Sequence, residues 1–314
     1  MRLQSIKIIA TLMAGFVPVT LAAVTNAAII AKFDGGAGTG SVDQYSGIAG
    51  SGWATAWAVG SSSASQTNTV PNTTPLNGGG NYLNVDATGS AAVGAVARVS
   101  RQYADFGDVD VDGAQYVISF DYRANTPLGL SSAADSASNR YNILGSVAAS
   151  NSTSSNNTWI AGVYAGTNGG TNDKPIGLGS SNVGNWVFLD NTGTTNVAMS
   201  AMNFWDSGMA LATDGTVYHF EILVDPVNKE YKPSISNGTT TATSPTFLGF
   251  RNQTGGASTF MQFHAFMTTA SSALSYSVDN VEISIVPEPN SLCLLSMGTI
   301  GLIALRRRRK VACR

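Results

Sequence analysis

Short runs of β-branched and aromatic residues recur along the middle of the chain, separated by clusters rich in Gly, Ser, Thr and Asn. Each run is long enough for one strand, and the clusters contain the residues that turns prefer. Charged residues make up only 11% of the chain, so the Lys, Glu and Arg that long amphipathic helices need are scarce. The pattern therefore predicts an all-β fold built from many short antiparallel strands.

The predicted strands follow one another without a fixed-period repeat or a shift in composition, which indicates one domain. Ser61–Gly80 is predicted to be a long surface loop. The predicted strands are Ala28–Asp34, Trp53–Val59, Asn81–Asp86, Ala91–Val99, Gln115–Arg123, Arg140–Ala148, Thr158–Ala165, Asn185–Asp190, Asn196–Trp205, Val217–Asp225, Glu230–Ser236, Thr246–Arg251, Thr259–Met267 and Leu274–Ile285.

The clearest local signal is a strand–turn–strand pattern between Val217 and Gly238. Asp225–Lys229 predicts a turn, because an Asp favours its first position and the Pro that follows fixes φ at the next. Alternate residues before the turn are apolar and should face the core; they are Tyr218, Phe220, Ile222 and Val224. The segment predicts a β-hairpin.

The amino terminus has the pattern of a secretory signal over residues 1–27. Arg2 and Lys7 supply positive charge, and the apolar stretch Ile8–Val24 follows. Small residues then precede a predicted cleavage between Ala27 and Ala28. A retained membrane anchor is the alternative for this segment.

The carboxyl terminus combines prolines, a short apolar run and a basic cluster. Val286–Pro289 reads Val-Pro-Glu-Pro, and the 15 residues Ser291–Leu305 are mostly apolar. As a helix they would cover about 22 Å, whereas a free-standing span needs about 20 residues. Five cations follow and should stay on the cytoplasmic side; they are Arg306, Arg307, Arg308, Arg309 and Lys310. We expect a single short transmembrane helix suited to temporary residence.

This order of features resembles the PEP-CTERM sorting signal of exported proteins in Gram-negative bacteria that make extracellular polysaccharide. The resemblance implies recognition of Pro287, Glu288 and Pro289 by an exosortase, transient contact with the inner membrane, and a mature end close to these residues. Together with the N-terminal signal and the predicted strands, it divides the chain into a signal peptide (1–27), a β-sandwich domain (28–286) and a sorting signal (287–310). Cys293, inside the apolar run, departs from the pattern.

Three segments of the middle region resemble strands of concanavalin A-like and laminin G-like jelly rolls: Tyr116–Arg123, Val217–Gly238 and Ser277–Ile283. The resemblance implies a jelly-roll type antiparallel β-sandwich with its first and last strands adjacent. Carbohydrate-binding members commonly hold a structural Ca²⁺ there, which implies a candidate calcium site shared by Asp34 and Asp279. The alternative is that Asp279 faces solvent.

The exported region is strongly acidic. Two of the 17 Lys and Arg residues lie in residues 1–27 and six in residues 306–314, which leaves nine in residues 28–286 against 18 acids. A net charge near −9 excludes nucleic acid as a partner and repels anionic polymers unless cations bridge them. Both cysteines, Cys293 and Cys313, lie in the tail, so no disulfide can form in residues 28–286.

Two tryptophans form a candidate glycan-stacking platform. Trp53 and Trp57 would share one face of a predicted strand, about 13 Å apart at 3.3 Å per residue. Aromatic faces pack on sugar rings, but tryptophans in such folds are also common core residues. Both interpretations stay open at this point.

Candidate catalytic residues are few. A glycosidase needs two carboxylates across a cleft, and residues 28–286 contain only three glutamates. His219 and Glu221 share a predicted strand face and are a candidate acid/base pair.

Asp108–Gly113 begins like an EF-hand loop, but Ser119 replaces the Glu required at its twelfth position.

The sequence therefore predicts a non-enzymatic, exported cell-surface or matrix protein, structural or adhesive in role, with extracellular polysaccharide as a candidate partner. No certain cofactor is expected, with Ca²⁺ as the candidate. The alternatives are a polysaccharide hydrolase or lyase on the same scaffold, and a retained inner-membrane protein with a periplasmic domain.

Overall fold

The computed structural model describes residues 28–33, 53–55, 57–77, 79–89, 94–103, 113–130, 139–148, 157–167, 174–255, 259–267 and 272–286. These residues form strands joined by turns and one 3₁₀ turn, Met199–Ala201. The strands are β1 Ala28–Phe33, β2 Ala58–Ser62, β3 Ala64–Thr69, β4 Leu83–Gly89, β5 Ala95–Gln102, β6 Tyr116–Ala124, β7 Arg140–Ser146, β8 Asn157–Tyr164, β9 Asn185–Asp190, β10 Asn203–Ala210, β11 Tyr218–Asp225, β12 Glu230–Ser236, β13 Thr241–Thr243, β14 Leu248–Gly249, β15 Phe260–Met267 and β16 Ala273–Ile285.

The strands form two antiparallel sheets that pack as a sandwich. The first sheet has the order β13-β12-β11-β6-β16-β4-β3, with β1 on β16 and β14 on β12. The second has the order β10-β9-β8-β7-β15-β5-β2. The chain passes repeatedly between the sheets, from β4 to β5, β6 and β7, and again from β14 to β15 and β16. This confirms the predicted all-β, jelly-roll type sandwich.

The core lies between the sheets and is rich in aromatic residues. In β11, Tyr218, Phe220, Ile222 and Val224 are buried as alternation predicted, and β11 pairs with β12 as a hairpin. Phe220 stacks on Phe120 at a centroid distance of 4.8 Å and meets Trp186 of the second sheet edge-on at 5.0 Å. Such ring pairs add to the energy of apolar burial.

Tyrosine hydroxyl groups join the two sheets. Tyr231 of β12 is fully buried, and its hydroxyl donates to the carbonyl oxygen of Leu189 at 2.5 Å. Tyr276 of β16 donates to the carbonyl oxygen of Phe263 in β15 at 2.9 Å. Because a buried hydroxyl without a partner is costly, these bonds allow tyrosine to occupy core positions.

Residues Ser61–Gly80, predicted as a loop, contain the strand β3. Its six residues are Ala-Ser-Gln-Thr-Asn-Thr, and they pair with β4 at the edge of the first sheet. Alternate residues are exposed, so a strand at this edge needs little apolar content. The loop prediction was wrong here because only sheet pairing, not hydrophobicity, identifies such a strand.

Two other predicted strands are shifted along the chain. The predicted strand Trp53–Val59 is replaced by β2, Ala58–Ser62, and Trp53 makes only an isolated bridge with Tyr103. The strand predicted at Asn196–Trp205 begins later, at Asn203, because the 3₁₀ turn occupies part of that range.

The first and last strands are neighbours, as the jelly-roll resemblance implied. Phe33 of β1 lies opposite Val281 of β16. None of the described residues forms a long apolar helix of the kind that crosses a bilayer. The predicted signal peptide and the predicted helix Ser291–Leu305 lie outside the described residues.

Candidate functional site

The outer face of the second sheet contains a row of polar and small residues that crosses five strands. Antiparallel register places Arg98 of β5 and Asn142 of β7 on either side of His264 in β15. Gly60 of β2 lies opposite Arg98, and Gly162 of β8 lies opposite Asn142. Side chains alternate between the faces of a strand, so these residues point away from the core that their neighbours fill.

A cavity of about 310 Å³ opens on this row. Its volume is at the lower end of the range of small-molecule sites, about 300–1,000 Å³. The residues that line it are Gly60, Ser61, Ser62, Val96, Arg98, Arg140, Asn142, Leu144, Asn157, Met199, Arg251, His264 and Phe266. Beside it, a separate apolar cluster that includes Ile160, Leu189 and Met202 occupies the same face.

His264 lies at the centre of the row and is 2% exposed. Burial, together with the positive charges of Arg98 and Arg140, lowers the pKa of His264 to about 3. The imidazole is therefore neutral at physiological pH. Its Nε2 lies 3.0 Å from Oε1 of Gln262, whose own amide nitrogen donates to the carbonyl oxygen of Ala148. An amide oxygen can only accept, so the proton sits on Nε2 and leaves Nδ1 unprotonated.

Three arginines line the cavity, each held in a different way. The guanidinium of Arg98 lies over Gly60, where an added Cβ would come within 2.6 Å of Nη2. Arg140 stacks on the ring of Phe266, with its Cζ 3.8 Å from the ring centroid. Arg251 donates from Nε to the carbonyl oxygen of Val197 at 3.0 Å. Arginine keeps its charge at any ordinary pH, so the cavity carries fixed positive charge.

Gly162 allows two polar side chains to approach its backbone closely. A Cβ there would lie 2.8 Å from the Tyr164 hydroxyl and 2.9 Å from Oδ1 of Asn142. Asn142 is 2% exposed, and its Oδ1 accepts no hydrogen bond from the described residues. The lack of a side chain at Gly162 thus makes room for the amide oxygen of Asn142 beside the backbone of β8.

The charged residues among the described lining of the cavity are all cations, whereas residues 28–286 as a whole are acidic. Three of the nine cations in residues 28–286 line it, although acids outnumber cations there by two to one. Among the described lining residues there is no Asp or Glu. Positive charge is thus concentrated at one place on an acidic chain.

Trp53 and Trp57 lie near each other but in different environments. Their ring centroids are 6.3 Å apart, and Trp57 is 2% exposed within the core. Trp53 is half-buried, and the guanidinium of Arg101 lies 4.6 Å from its ring centroid. Neither tryptophan lines the cavity on the second sheet.

Asp279, the described half of the proposed calcium pair, is fully buried in β16 opposite Asp121. Asp34 lies outside the described residues, so a calcium site shared by the two stays a prediction. The described residues contain no group of three His, Cys, Asp or Glu side chains arranged to hold a metal ion.

His219 and Glu221 lie on the outer face of the first sheet, the opposite side of the sandwich from the cavity. His219 Nδ1 is 2.8 Å from Oδ1 of Asp121, and its Nε2 is 3.7 Å from the Glu221 carboxylate. The side chains of His219 and Glu221 are 42% and 59% exposed. Hydrogen bonding to Asp121 raises the pKa of His219.

Sequence reasoning missed the arginine cluster. Arg98 and Arg140 each lie in a strand rich in apolar core residues, Arg251 follows β14, and only the pairing of β5, β7 and β15 brings Arg98 and Arg140 to one place. The polar pair Gln262 and His264, at alternate positions of an otherwise apolar strand, was the available signal. Pro287, Glu288, Pro289 and the basic cluster 306–310 lie outside the described residues.

Comparison with solved structures gave remote similarities. The catalytic domain of the glycoside hydrolase family 131 protein from Coprinopsis cinerea shares 10% identity over 72% of this chain and 78% of that chain, with a TM-score of 0.43. The binding domain of botulinum neurotoxin DC in complex with SialylT shares 11% identity over 82% of this chain and 47% of that chain, with a TM-score of 0.42. A carbohydrate esterase from the Shiga toxin-encoding bacteriophage phi24B shares 12% identity over 74% of this chain and 90% of that chain, with a TM-score of 0.41.

These similarities are too remote to support an argument about activity. No curated protein matches the sequence at a significant level. Residues 286–309 match the family model described as the PEP-CTERM protein-sorting motif. This motif implies export and exosortase-dependent sorting to the cell envelope or surface.

Proposed function

We propose that this protein is a non-enzymatic polysaccharide-binding protein of the cell surface or extracellular matrix. The sorting motif supports delivery to a place where polysaccharide is the abundant polymer. The observation that carries the proposal is the cavity on the second sheet. It combines an apolar wall, which includes Phe266 and Leu144, with buried polar groups that point at the same space. Sites that bind small polar molecules have this composition.

Binding fits the cavity better than hydrolysis does. A glycosidase needs one carboxylic acid and one carboxylate about 5–9.5 Å apart on either side of the scissile bond. The described lining residues offer neither. His219 and Glu221, the candidate acid/base pair, lie on the other sheet.

Binding also fits better than elimination by a lyase. Elimination needs a base that removes a carbon-bound proton, and a base is most effective when its pKa lies near the working pH. Burial and two neighbouring cations lower the pKa of His264 to about 3, which makes its imidazole a weak base. We therefore expect no unsaturated product, by ultraviolet absorbance, when the protein is incubated with the polysaccharide it binds.

A blocking variant tests whether the cavity is the binding site. Ser62 is exposed and lines the cavity, so Ser62→Trp should fill its entrance without entering the core. Thr67→Trp, at an exposed position of β3 in the other sheet, is the matched control. Wild type and the two variants are purified from the producing cells and sedimented with polysaccharide extracted from those cells. The proposal expects wild type and Thr67→Trp to co-sediment and Ser62→Trp to lose at least about tenfold in affinity. Equal binding by all three would contradict it.

A truncation tests the role of the sorting motif. A chain that ends before Val286 retains every described strand but lacks residues 286–309. We expect fractionation to find this chain displaced from the envelope or surface, while the full-length protein is retained there. An unchanged distribution would show that the tail does not direct the protein.

A further inference from the structure

We propose that the cavity selects acidic sugar units, binding the anionic group of a uronate or a sulfated sugar through its arginines. This inference rests on the proposed polysaccharide binding and adds the chemical class of the ligand. It concerns a property that the net charge of the chain conceals, since the exported region is acidic and its cavity is cationic.

The arginines are brought together by the fold from separate parts of the chain. Arg98 and Arg140 lie in β5 and β7, the two strands on either side of β15. Arg251 follows β14 and is held against the second sheet, where its backbone nitrogen donates to the carbonyl oxygen of Thr158 at 2.9 Å. All three line one cavity of about 310 Å³. Each guanidinium carries several N–H donors, and those that face the cavity can donate to an anionic group.

Arg98 lies opposite His264 in the register of β5 and β15, and Arg140 lies opposite Phe266, two residues further along β15. Burial first, and then the positive charges of Arg98 and Arg140, lower the pKa of the imidazole of His264, in keeping with this placement. An anionic group placed over the row would lie near both. Arginine also suits such a group geometrically, because its planar fork can donate two parallel hydrogen bonds to a carboxylate.

The rest of the cavity fits the uncharged part of a sugar. Phe266, whose ring lies under the guanidinium of Arg140, provides an apolar wall with Leu144 and Val96. Asn142, which also lines the cavity, carries a side-chain amide that can hydrogen-bond a hydroxyl group. A carbohydrate that bears an anionic group combines the three chemistries: an anion, hydroxyl donors and an apolar ring face.

The primary experiment uses wild-type protein alone and compares matched ligands by titration calorimetry. The probes are hexasaccharides of galacturonate, glucuronate and mannuronate with the carboxyl-reduced form of each, and a sulfated hexasaccharide with its desulfated form. Reduction removes the charge and keeps the linkage. We expect at least one anionic hexasaccharide to bind about tenfold or more tightly than its neutral counterpart. The uronate and sulfated arms then identify which anionic group is preferred.

Charge variants assign any preference to the cavity. Arg98→Gln and Arg140→Gln should abolish it, while Arg98→Lys, which keeps the charge, should retain part of it. Lys232→Gln removes one cation from β12 in the first sheet and should change nothing. Thermal melting checks that each variant is folded. Full preference for the acidic ligand in folded Arg98→Gln and Arg140→Gln would overturn the inference.

The outcomes separate this inference from the proposed function. Equal binding of each acidic hexasaccharide and its neutral counterpart would overturn the acidic preference and leave polysaccharide binding in place. Failure of every hexasaccharide and of the polysaccharide from the producing cells would overturn both. The ligand comparison needs no variant, so it stands even if an arginine substitution prevents folding.

Discussion

The burial of neutral His264 should make the protein sensitive to mild acid. An unfolded histidine has a pKa near 6.5, whereas burial and two arginines lower the pKa of His264 in the fold to about 3. Below pH 6.5 the unfolded chain takes up a proton that the folded chain does not. Stability is therefore lost as the pH falls through the window from about 6.5 to about 3.

The size of the effect follows from the width of that window. Each pH unit below 6.5 lowers the free energy of unfolding by at most about 1.4 kcal/mol, so about 2.7 kcal/mol is lost at pH 4.5 and about 5 kcal/mol near pH 3. Domains are typically stable by only about 5–15 kcal/mol. One histidine could thus remove a large part of the stability.

Urea unfolding of wild type and His264→Gln between pH 7 and pH 4.5 measures the effect. Carboxylates titrate in both proteins, so the difference between the two proteins in how the free energy of unfolding changes with pH isolates the contribution of His264. We expect the free energy of unfolding of wild type to fall by about 2–3 kcal/mol more than that of the variant over this range. Parallel slopes would refute the reasoning, because they would mean that His264 has the same pKa in the folded and unfolded chains.

Three further predictions concern packing and the second histidine. Gly162→Ala should lower the free energy of unfolding in urea by about 1–3 kcal/mol, because the new Cβ would lie within 2.9 Å of two polar side chains. Gly179→Ala is the control and should be nearly neutral, since a Cβ there would have no neighbour closer than 3.8 Å. Tyr231→Phe should cost about 1–2 kcal/mol by losing a hydroxyl that bonds carbonyl oxygens of the other sheet. Tyr122→Phe should cost little, since that buried hydroxyl has no partner among the described residues, and equal costs would contradict the account of the tyrosines. The pKa of His219 is raised, so its stabilisation is present below about pH 6.5 and is lost as the pH rises through the raised value; His219→Gln should remove this dependence between pH 6 and pH 8.

The strands that the sequence predicts well are those in which apolar and polar residues alternate along the whole strand. In β11, four alternating apolar residues gave the core face, and the Asp225 carboxylate accepts from the backbone nitrogen of Asn228 in the predicted turn. β3 was missed because an edge strand buries little and carries no apolar alternation. Local pattern predicts a strand when one of its faces is buried, and edge strands lack that signal.

The sequence also identifies the C-terminal sorting motif better than the cavity. The motif at residues 286–309 is contiguous, so its order can be read directly. The cavity is assembled by register, which places residues as distant as Gly60 and His264 in one row. Net charge pointed away from anionic ligands because a sum over the chain cannot show where nine cations lie. Their positions are decided by strand pairing, which cannot be read from any single stretch of the sequence.

The most direct test of the account is to measure where the protein is found in the cells that make it. Mass spectrometry would quantify wild type, Ser62→Trp and Thr67→Trp in the extracellular polysaccharide and in the surrounding medium, and would determine the mass of each. The account predicts that all three end near Pro289 without the basic cluster 306–310, and that only Ser62→Trp leaves the polysaccharide for the medium. An intact basic tail on the surface protein, or equal retention of all three, would contradict it.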